Sequence, residues 1–299
     1  MSEILVGVDG TPGAKDALAF AQRLAAMTGA RLRLANAFPY SDVPSRASNE
    51  AFRAALRQDA EAVLAAADAG DAPCHAVADA SPPHALHDLA EEHEASLVVV
   101  GSTRRGPVGR VLPGSTAERL LHGAPCPVAI VPGGYSEQDR QLSIIGVGYD
   151  GSAESERALA SATELARRVG AKLRIIRIFD TGQIGTPALV SGPGYYSVPK
   201  ETERLHREHF ERRVDQQPKD IEVDSLFHAG IPHQELAAQC ESVDLMVLGS
   251  RGYGPMRAVL LGGVSHALVR KAACPVIVLP RGAEHSLAPL FESAAEATA

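Results

Sequence analysis

The chain of 299 residues contains no tryptophan, 7 phenylalanines and 6 tyrosines, and it has no excess of basic residues. Lysine and arginine number 29 against 36 acidic residues, which gives a formal net charge of −7. Proteins that bind nucleic acid use positive charge for the phosphates and aromatic rings for stacking exposed bases. The composition therefore argues against a nucleic-acid partner.

Long apolar runs and paired cysteines are also lacking. No apolar run reaches the ~18 residues that span a bilayer, and residues 1–6 have no basic region ahead of a long apolar stretch. We therefore expect no membrane partner, no secretion signal and a cytoplasmic location. The four cysteines form no Cys-x-x-Cys pair, which argues against a zinc site or a dithiol redox centre.

Motifs of several enzyme classes fail on inspection. Residues 101–106 have the glycine spacing of a P-loop, but proline and valine follow where lysine and serine or threonine are required. The Gly-x-Gly-x-x-Gly of residues 146–151 begins inside a predicted strand, and Gly-x-Ser-x-Gly does not occur. Two histidine pairs lack an evident third metal ligand: His84 with His87, and His206 with His209. We predict neither catalytic nor metal-binding residues.

The chain does contain an internal repeat that runs through almost its whole length. Residues 4–11 match residues 145–152, and residues 97–102 match residues 245–250. At roughly 150 residues per domain, the length also fits two domains.

The repeat sets the expected domain boundaries. We predict a first domain over residues 1–133, a turn-rich polar linker over 134–141 and a second domain over 142–281, followed by a flexible tail over 282–299. A glycine- and proline-rich loop at 181–199 accounts for most of the difference in length between the halves.

Short β-branched runs alternate with amphipathic segments in each half, which is the pattern of a parallel sheet built from βαβ units. The runs before Gly101 and Gly249 are apolar throughout, as expected when helices cover both faces. We predict two tandem, doubly wound α/β domains related by a pseudo-twofold axis, each with five parallel strands in the Rossmann-like order 3-2-1-4-5. Ligands of such sheets bind beyond the carboxyl ends of the strands.

The first strand of each half ends in an acidic residue and a turn. The two turns are Asp9-Gly10-Thr11 and Asp150-Gly151-Ser152. One interpretation is a helix N-cap, in which these side chains accept hydrogen bonds from the first N–H groups of the helix. The other is that the carboxylate points into the crevice at the strand ends and accepts from a ribose hydroxyl or an amino group. The residues alone leave both open.

The fourth strand of each half leads into a glycine-dense loop and then a helix, over residues 101–116 and 249–265. Glycines let the backbone approach a ligand, and the following helix start is partially positive, so the loops predict a binding site for phosphate. Arg104, Arg105 and Arg251 add positive charge at the rim. The alternative is that the glycines only permit a tight crossing from strand to helix.

Together these features resemble the universal stress protein family in tandem form, over about residues 3–132 and 143–280. Nucleotide-binding members of that family carry Gly-x2-Gly-x9-Gly-Ser/Thr after the fourth strand. The second half keeps all three glycines but has Gly263 at the hydroxyl position. The first half keeps the hydroxyl at Ser115 but has Arg104 in place of the middle glycine.

The resemblance implies a stress-response regulator that binds ATP, with Mg²⁺ at the phosphates and at most slow hydrolysis. It puts Asp9 and Asp150 near the adenosine, with the backbone of Ala37 and Ile178 at the adenine edge. The nucleotide-binding residues implied in the first half also include Gly10, Thr11, Gly101, Ser102, Arg104, Arg105, Gly114, Ser115 and Thr116. Those in the second half also include Gly151, Ser152, Gly249, Arg251, Gly252, Gly254, Gly262, Gly263, Val264 and Ser265.

The second half is expected to be the tighter site, with Ser265 compensating for the hydroxyl missing at Gly263. Fifth strands pair in dimers of the family, so the two halves are expected to pair within the chain as a pseudo-dimer, and further pairing into a homodimer stays open. A different function also stays open, namely a scaffold with decayed binding loops that acts on an unknown protein partner. A third, an adenine-nucleotide-dependent ligase, is disfavoured because its loop after the first strand is poorly matched here.

Overall fold

The computed structural model describes residues 2–40, 50–105, 111–113, 115–121, 123–138, 141–180, 197–250, 263–280 and 286–291. The first half contains β1 Glu3–Gly7, α1 Pro12–Thr28, β2 Arg31–Phe38, α2 Glu50–Ala65, β3 Cys74–Ala78, α3 Pro82–Glu92, β4 Leu97–Arg105, β5 Val111–Pro113, α4 Ser115–Leu121 and β6 Val128–Val131. The second contains β7 Ile144–Gly148, α5 Ala153–Val169, β8 Lys172–Asp180, α6 Ser197–Asp215, β9 Val223–Gly230, α7 Pro232–Gln239, β10 Leu245–Gly249, α8 Gly263–Val269 and β11 Val276–Leu279. Among these described residues, no helix is both long and apolar enough to cross a bilayer.

The described residues form a sheet of eleven strands, ten of which follow the order β3-β2-β1-β4-β6-β11-β10-β7-β8-β9, with β5 paired to β4 beside this path. Within each half the neighbouring strands of this path are parallel and follow the predicted order 3-2-1-4-5. The halves join where β6 and β11 pair antiparallel, with Ile130 opposite Val276 and Val128 opposite Val278. The predicted fold is therefore confirmed, and the fifth strands cover each other's edges within the chain.

Hydrophobic side chains fill both faces of the sheet because successive residues of a strand point to opposite sides. Val6 and Val99 pack with α1 on one face, whereas Leu5 and Val98 pack with α3 and α4 on the other. All four of these strand residues are completely buried. Burying such side chains contributes about 1.5–3 kcal/mol each, which explains why the central strands are apolar throughout.

The segment between the halves is held tightly against the first helix. The carboxylate of Asp16 accepts hydrogen bonds from the N–H groups of Gly134 and Ser136, each over 2.8 Å, and from the Ser136 hydroxyl over 2.7 Å. Tyr135 is buried and its ring packs edge-on against Phe20, with centroids 5.6 Å apart. The described start of the predicted linker, residues 134–138, is thus a packed turn that contains the 3-10 helix Tyr135–Glu137.

Part of the predicted flexible tail is also packed, so that prediction is wrong for residues 286–291. These residues form a turn and the 3-10 helix Ala288–Phe291, and Leu287 and Leu290 are completely buried. The N–H of Leu287 donates to the Ser161 hydroxyl on α5 over 3.2 Å. These apolar side chains complete the core on the face of the sheet covered by α5. Their position near the end of the chain gave no sign of this packing in the sequence. The rest of the tail lies outside the described residues.

A second difference concerns the segment after the first-half Gly101. The sequence predicts a loop from this glycine onward, whereas β4 continues to Arg105 and pairs antiparallel with β5. Ser102 lies opposite Pro113 and Arg104 opposite Leu112 in this short ribbon. The extension depends on backbone pairing with β5, which glycine content alone does not reveal. Most of the predicted loop at 181–199 lies outside the described residues.

Candidate functional site

Each half has a cavity beyond the carboxyl ends of its central strands, where the winding of the sheet reverses. The first cavity has a volume of about 110 Å³ and the second about 510 Å³. The first is lined by Gly7, Val8, Asp9, Thr11, Ala14, Ala35, Ala37, Pro82, Leu86, Val100, Gly101, Ser102, Thr116 and Ala117. The second is lined by Gly148, Tyr149, Asp150, Ser152, Ser155, Ile176, Arg177, Ile178, Phe179, Asp180, His206, Pro232, Leu236, Leu248, Gly249, Val264 and Ser265.

In the turn after β7, the aspartate and the hydroxyl residue have different roles, which the sequence had left open. Asp150 Oδ1 accepts from the N–H of Ser152 over 2.9 Å, and Gly151 between them has a φ of +86°, which a residue without Cβ adopts easily. The Ser152 hydroxyl in turn accepts from the Ser155 N–H over 3.2 Å and caps α5. The hydroxyl residue is therefore the helix cap, and the aspartate closes the turn while lining the cavity.

The first half repeats this arrangement. Asp9 Oδ1 accepts from the N–H and the hydroxyl of Thr11, over 3.0 and 2.6 Å. The Thr11 hydroxyl accepts from the Ala14 N–H over 3.3 Å at the start of α1. Gly10 has a φ of +77°. In both turns the hydroxyl residue caps the helix while the aspartate lines the cavity, so the N-cap interpretation and the ligand interpretation are compatible.

The glycines that end the fourth strands have a structural reason of their own. A Cβ added at Gly101 would lie 1.9 Å from the carbonyl oxygen of Gly13, and one added at Gly249 would lie 2.4 Å from that of Glu154. The backbone that approaches these glycines is thus the first turn of α1 or α5. At these two positions the tight-crossing interpretation explains the residue type, and the glycines are not by themselves evidence for a phosphate.

Hydroxyl groups near the strand ends are deeply buried. Ser265 Oγ donates to the carbonyl of Gly249 over 3.3 Å and so ties the first turn of α8 to the end of β10. Because this hydroxyl already donates its hydrogen within the chain, Ser265 could replace the hydroxyl missing at Gly263 only as a hydrogen-bond acceptor. Ser102 and Ser250 are also buried, and their hydroxyls have no hydrogen-bond partner among the described residues.

A contact between a buried arginine and an exposed histidine distinguishes the second cavity, and it was missed from the sequence. Arg177 on β8 is 6% exposed, and its Nη2 donates to Nδ1 of His206 on α6 over 2.6 Å. Burial and, next, the charge of Arg177 lower the pKa of His206. The internal repeat contains a sign of this difference between the halves, because Arg177 aligns with Asn36 of the first half.

A second, half-buried network adjoins this cavity through Tyr149. The Tyr149 hydroxyl donates to Oε1 of Glu156 over 2.5 Å, and Arg213 Nε donates to Oε2 of the same carboxylate over 2.9 Å. Burial and the contact with Glu156 raise the pKa of Tyr149 to about 12. The Tyr149 hydroxyl therefore keeps its proton near neutral pH, and the Glu156 carboxylate is already bound by Arg213.

The structure brings part of the expected nucleotide-binding set to the cavities. Those lining them are Asp9, Thr11, Ala37, Gly101, Ser102 and Thr116 in the first half, and Asp150, Ser152, Ile178, Gly249, Val264 and Ser265 in the second. Gly10 and Gly151 lie in the adjoining turns. Only the backbone is described for Arg104, Arg105, Ser115 and Gly263. Gly114, Arg251, Gly252, Gly254 and Gly262 lie outside the described residues.

Three side chains elsewhere could converge on a metal ion within the described part of the chain. These are Asp79, His84 and Asp88, and the last two are exposed. His84 Nδ1 lies 2.7 Å from Asp79 Oδ2. The hydrogen bond to Asp79, followed by the charge of Asp88, raises the pKa of His84, so an ordinary ion pair accounts for this contact.

Known proteins match this chain along most of its length. The sequence model of the Universal stress protein family matches residues 1–132 and 142–280. A universal stress protein of Mycobacterium tuberculosis is 32% identical over 235 residues, which is 78% of this chain and 80% of that protein. Another, from Mycobacterium bovis, is 28% identical over 299 residues and covers 92% of this chain and 94% of its own length.

Solved structures agree on the fold. The crystal structure of a universal stress protein from Archaeoglobus fulgidus superposes with a TM-score of 0.64 at 21% identity, covering 94% of this chain and 98% of the other. The two matched segments correspond to the two halves of the sheet that pair through β6 and β11. The chain belongs to the universal stress protein family and carries two of its units in tandem.

Proposed function

We propose that the second half binds ATP and that the protein acts as a nucleotide-responsive regulator of the stress response in the cytoplasm. The observation that carries this proposal is the second cavity. Its volume of about 510 Å³ lies within the range of roughly 300–1,000 Å³ in which small-molecule sites fall. It also lies at the sheet position where doubly wound domains bind ligands.

The lining suggests how the nucleotide would be held. The ribose hydroxyls would donate to Asp150, and the adenine edge would meet the backbone of Ile178. Ile176, Leu236 and Leu248 supply apolar surface for the base. The phosphates would extend towards Gly249 and the first turn of α8, with Mg²⁺ bound to their oxygens. In this pose the ribose would lie at the Asp150 turn on one side of the cavity, and the phosphates would lie at the end of β10 on the other.

We propose at most slow hydrolysis. A general base must have a free lone pair within reach of the attacking water. The histidine that lines the second cavity, His206, accepts a hydrogen bond from Arg177 at Nδ1, so its neutral form carries its proton on Nε2. It would therefore donate to the cavity and could not accept a proton there while that bond lasts. Bound ATP would act by favouring one shape or partner of the protein.

Isothermal titration calorimetry with ATP and magnesium tests this proposal. Asp150→Asn keeps an oxygen for the turn but removes the charge, and Asp9→Asn is the matched change in the first half. We expect the Asp150 variant to weaken ATP binding about tenfold, as loss of one charged hydrogen bond does, and the Asp9 variant to bind like the parent. Purified protein that yields no adenine nucleotide on acid extraction and shows no thermal shift with millimolar ATP would overturn the proposal.

A scaffold function is favoured for the first half by the size of its cavity. A volume of about 110 Å³ is below the lower limit of roughly 300 Å³ for ligand sites. The first half would then act through protein contacts while the second binds nucleotide. The titration separates these cases, because one ATP per chain fits this division, two ATP would reject it, and none would extend the scaffold role to the whole protein.

A further inference from the structure

The part of α6 that reaches the second cavity has little apolar packing of its own. From residue 200 to residue 209 every side chain is exposed or half-buried, and Phe210 is the first that is buried, at 1% exposed. Phe210 packs with Tyr149, and further along the helix Arg213 binds Glu156 of α5. Segments with few buried apolar contacts open at a low cost in free energy. The start of α6 therefore depends on the contacts that precede Phe210.

A hydrogen bond from β8 is one of these contacts. Arg177 Nη2 donates to Nδ1 of His206 over 2.6 Å, and both side chains line the second cavity. The ring of Phe179, also in the wall, lies 5.4 Å from the imidazole between centroids. A guanidinium nitrogen can only donate, and a histidine nitrogen accepts only while it carries no proton. This bond between β8 and α6 therefore requires neutral His206.

The groups around His206 on β8 and α6 oppose its protonation. Arg177 faces it from β8, and His209 lies about one turn further along α6. Partial burial, followed by the charge of Arg177 and then that of His209, lowers the pKa of His206 from 6.5. Asp150 and Asp180 line the same cavity and do not reverse the direction of this shift. His206 is therefore neutral at pH 7 and gains its proton below pH 6.5.

The other strand that packs against α6 is β9, and it presents an aromatic ring on that side. The Arg207 guanidinium of α6 lies 4.2 Å from the centroid of the Phe227 ring. The next residue, His228, points to the opposite side of the sheet, where its Nε2 lies 3.6 Å from Glu235 of α7. In β9, which the structure describes completely, no histidine therefore faces α6.

The first half has no counterpart of this bond. Asn36 takes the place of Arg177, and its amide nitrogen donates to the carbonyl of Val8 over 2.7 Å. The corresponding helix, α2, is instead held by the buried side chains of Ala60 and Leu64. Neither an amide nor an apolar side chain titrates, so a change of pH acts differently on the two cavities.

Building on the proposed ATP site, we propose that His206 is a positioning residue of the second cavity, whose neutral ring holds the start of α6 in place by accepting the Arg177 hydrogen bond. Protonating His206 would release this wall and weaken nucleotide binding. The loss occurs at the histidine, which no longer has a lone pair at Nδ1, so it is the same whichever other groups Arg177 contacts. The second cavity would then release its nucleotide as the medium becomes mildly acidic.

The test is calorimetry with ATP and saturating magnesium on the full chain, from pH 7.5 to 5. An apparent Kd is the intrinsic value divided by the fraction of competent protein. We therefore expect nearly constant affinity above pH 6.5 and a loss of about tenfold per pH unit below the pKa of His206. The midpoint of this loss should coincide with the pKa of His206 read from its imidazole NMR signals in the nucleotide-free protein.

Three variants separate positioning from mere packing. His206→Gln keeps an acceptor that does not titrate, so it should bind within about threefold of the parent at pH 7.5 and remove the dependence on pH. His206→Leu has no acceptor and should bind about tenfold more weakly at pH 7.5, with no further loss from this group in acid. His209→Gln removes the neighbouring histidine of α6 and should keep the pH profile of the parent.

The outcomes separate this inference from the function on which it rests. If ATP binds with the same affinity at pH 7.5 and 5, or if the parent and His206→Gln lose affinity equally in acid, the positioning role is wrong and the ATP site stands. Tighter binding in acid would also overturn it, because His206 would then meet the phosphates as a cation. Circular dichroism at each pH confirms that the protein is folded. If ATP does not bind at pH 7.5, the proposed function fails first.

Discussion

Replacing Gly101 with alanine would push a Cβ into the backbone where α1 meets β4. The added carbon would lie 1.9 Å from the carbonyl oxygen of Gly13 and 2.3 Å from its carbonyl carbon. Neither atom can move without shifting the start of α1, which packs along β4. Overpacking in such a position costs about 1–3 kcal/mol, and occasionally more. We expect about 3 kcal/mol here because the obstacle is backbone and not a flexible side chain.

Urea denaturation followed by circular dichroism measures this loss. With m of about 3 kcal/mol per molar, a loss of about 3 kcal/mol lowers the midpoint by about 1 M, with m unchanged. Gly123→Ala is the matched control, since a Cβ there would meet nothing within 4 Å, and it should change stability by less than about 0.5 kcal/mol. Gly249→Ala, with its closest contact at 2.4 Å, should be the milder of the two strand-end changes. Equal stability of the Gly101 and Gly123 variants would refute the packing explanation and return Gly101 to a role in ligand binding.

Three further predictions concern stability elsewhere. Burial, followed by the Arg33 charge, lowers the pKa of His75 from 6.5, so below pH 6.5 the unfolded chain binds more protons than the folded chain, and stability should be full above that pH and fall below it. His75→Gln should flatten this fall in urea midpoints taken from pH 7.5 to 5, and an unchanged fall in the variant would contradict the prediction. Asp16→Ala removes the acceptor of three hydrogen bonds from the turn between the halves and should cost about 3–5 kcal/mol, more than the nearby exposed Lys15→Ala; equal midpoints for the two variants would contradict this. Leu287→Ala empties a completely buried site and should cost about 2–5 kcal/mol. The control Ser286→Ala loses only the exposed hydrogen bond from the Ala288 N–H and should cost about 1 kcal/mol; a parent-like melt of the leucine variant would mean that the tail is not part of the core.

Much of the fold could be predicted because its signals are local and occur twice. The apolar run of residues 97–100 indicates a strand covered on both faces, and the structure buries it completely or nearly so. The aspartate and the hydroxyl residue that follow β1 and β7 line the two cavities. The pairing of β6 with β11 was expected only through the family resemblance, since nothing in either strand specifies its partner.

The features that were missed depend on contacts between distant parts of the chain. Arg177 lies on β8 and His206 on α6, and a long connection separates these two elements, so the sequence does not show that the two side chains meet. An isolated arginine in a sequence also gives no sign that it is buried. Leu287 is buried in a segment anchored to Ser161 of α5, 126 residues earlier in the chain. The strand-end Gly101 has the same sequence signature whether it faces a phosphate or a helix backbone. Only the position of Gly13 favours the helix.

The antiparallel joint between β6 and β11 has a consequence for how the two halves can communicate. The other four main strands of the first half run parallel to β6, and the other four of the second run parallel to β11, whereas β6 and β11 are antiparallel. The carboxyl ends of the two sets therefore point in opposite directions, and the cavities open at opposite margins of the continuous sheet. One small molecule therefore cannot fill both cavities. The β6–β11 ladder and the α1–α5 contact physically join the two halves.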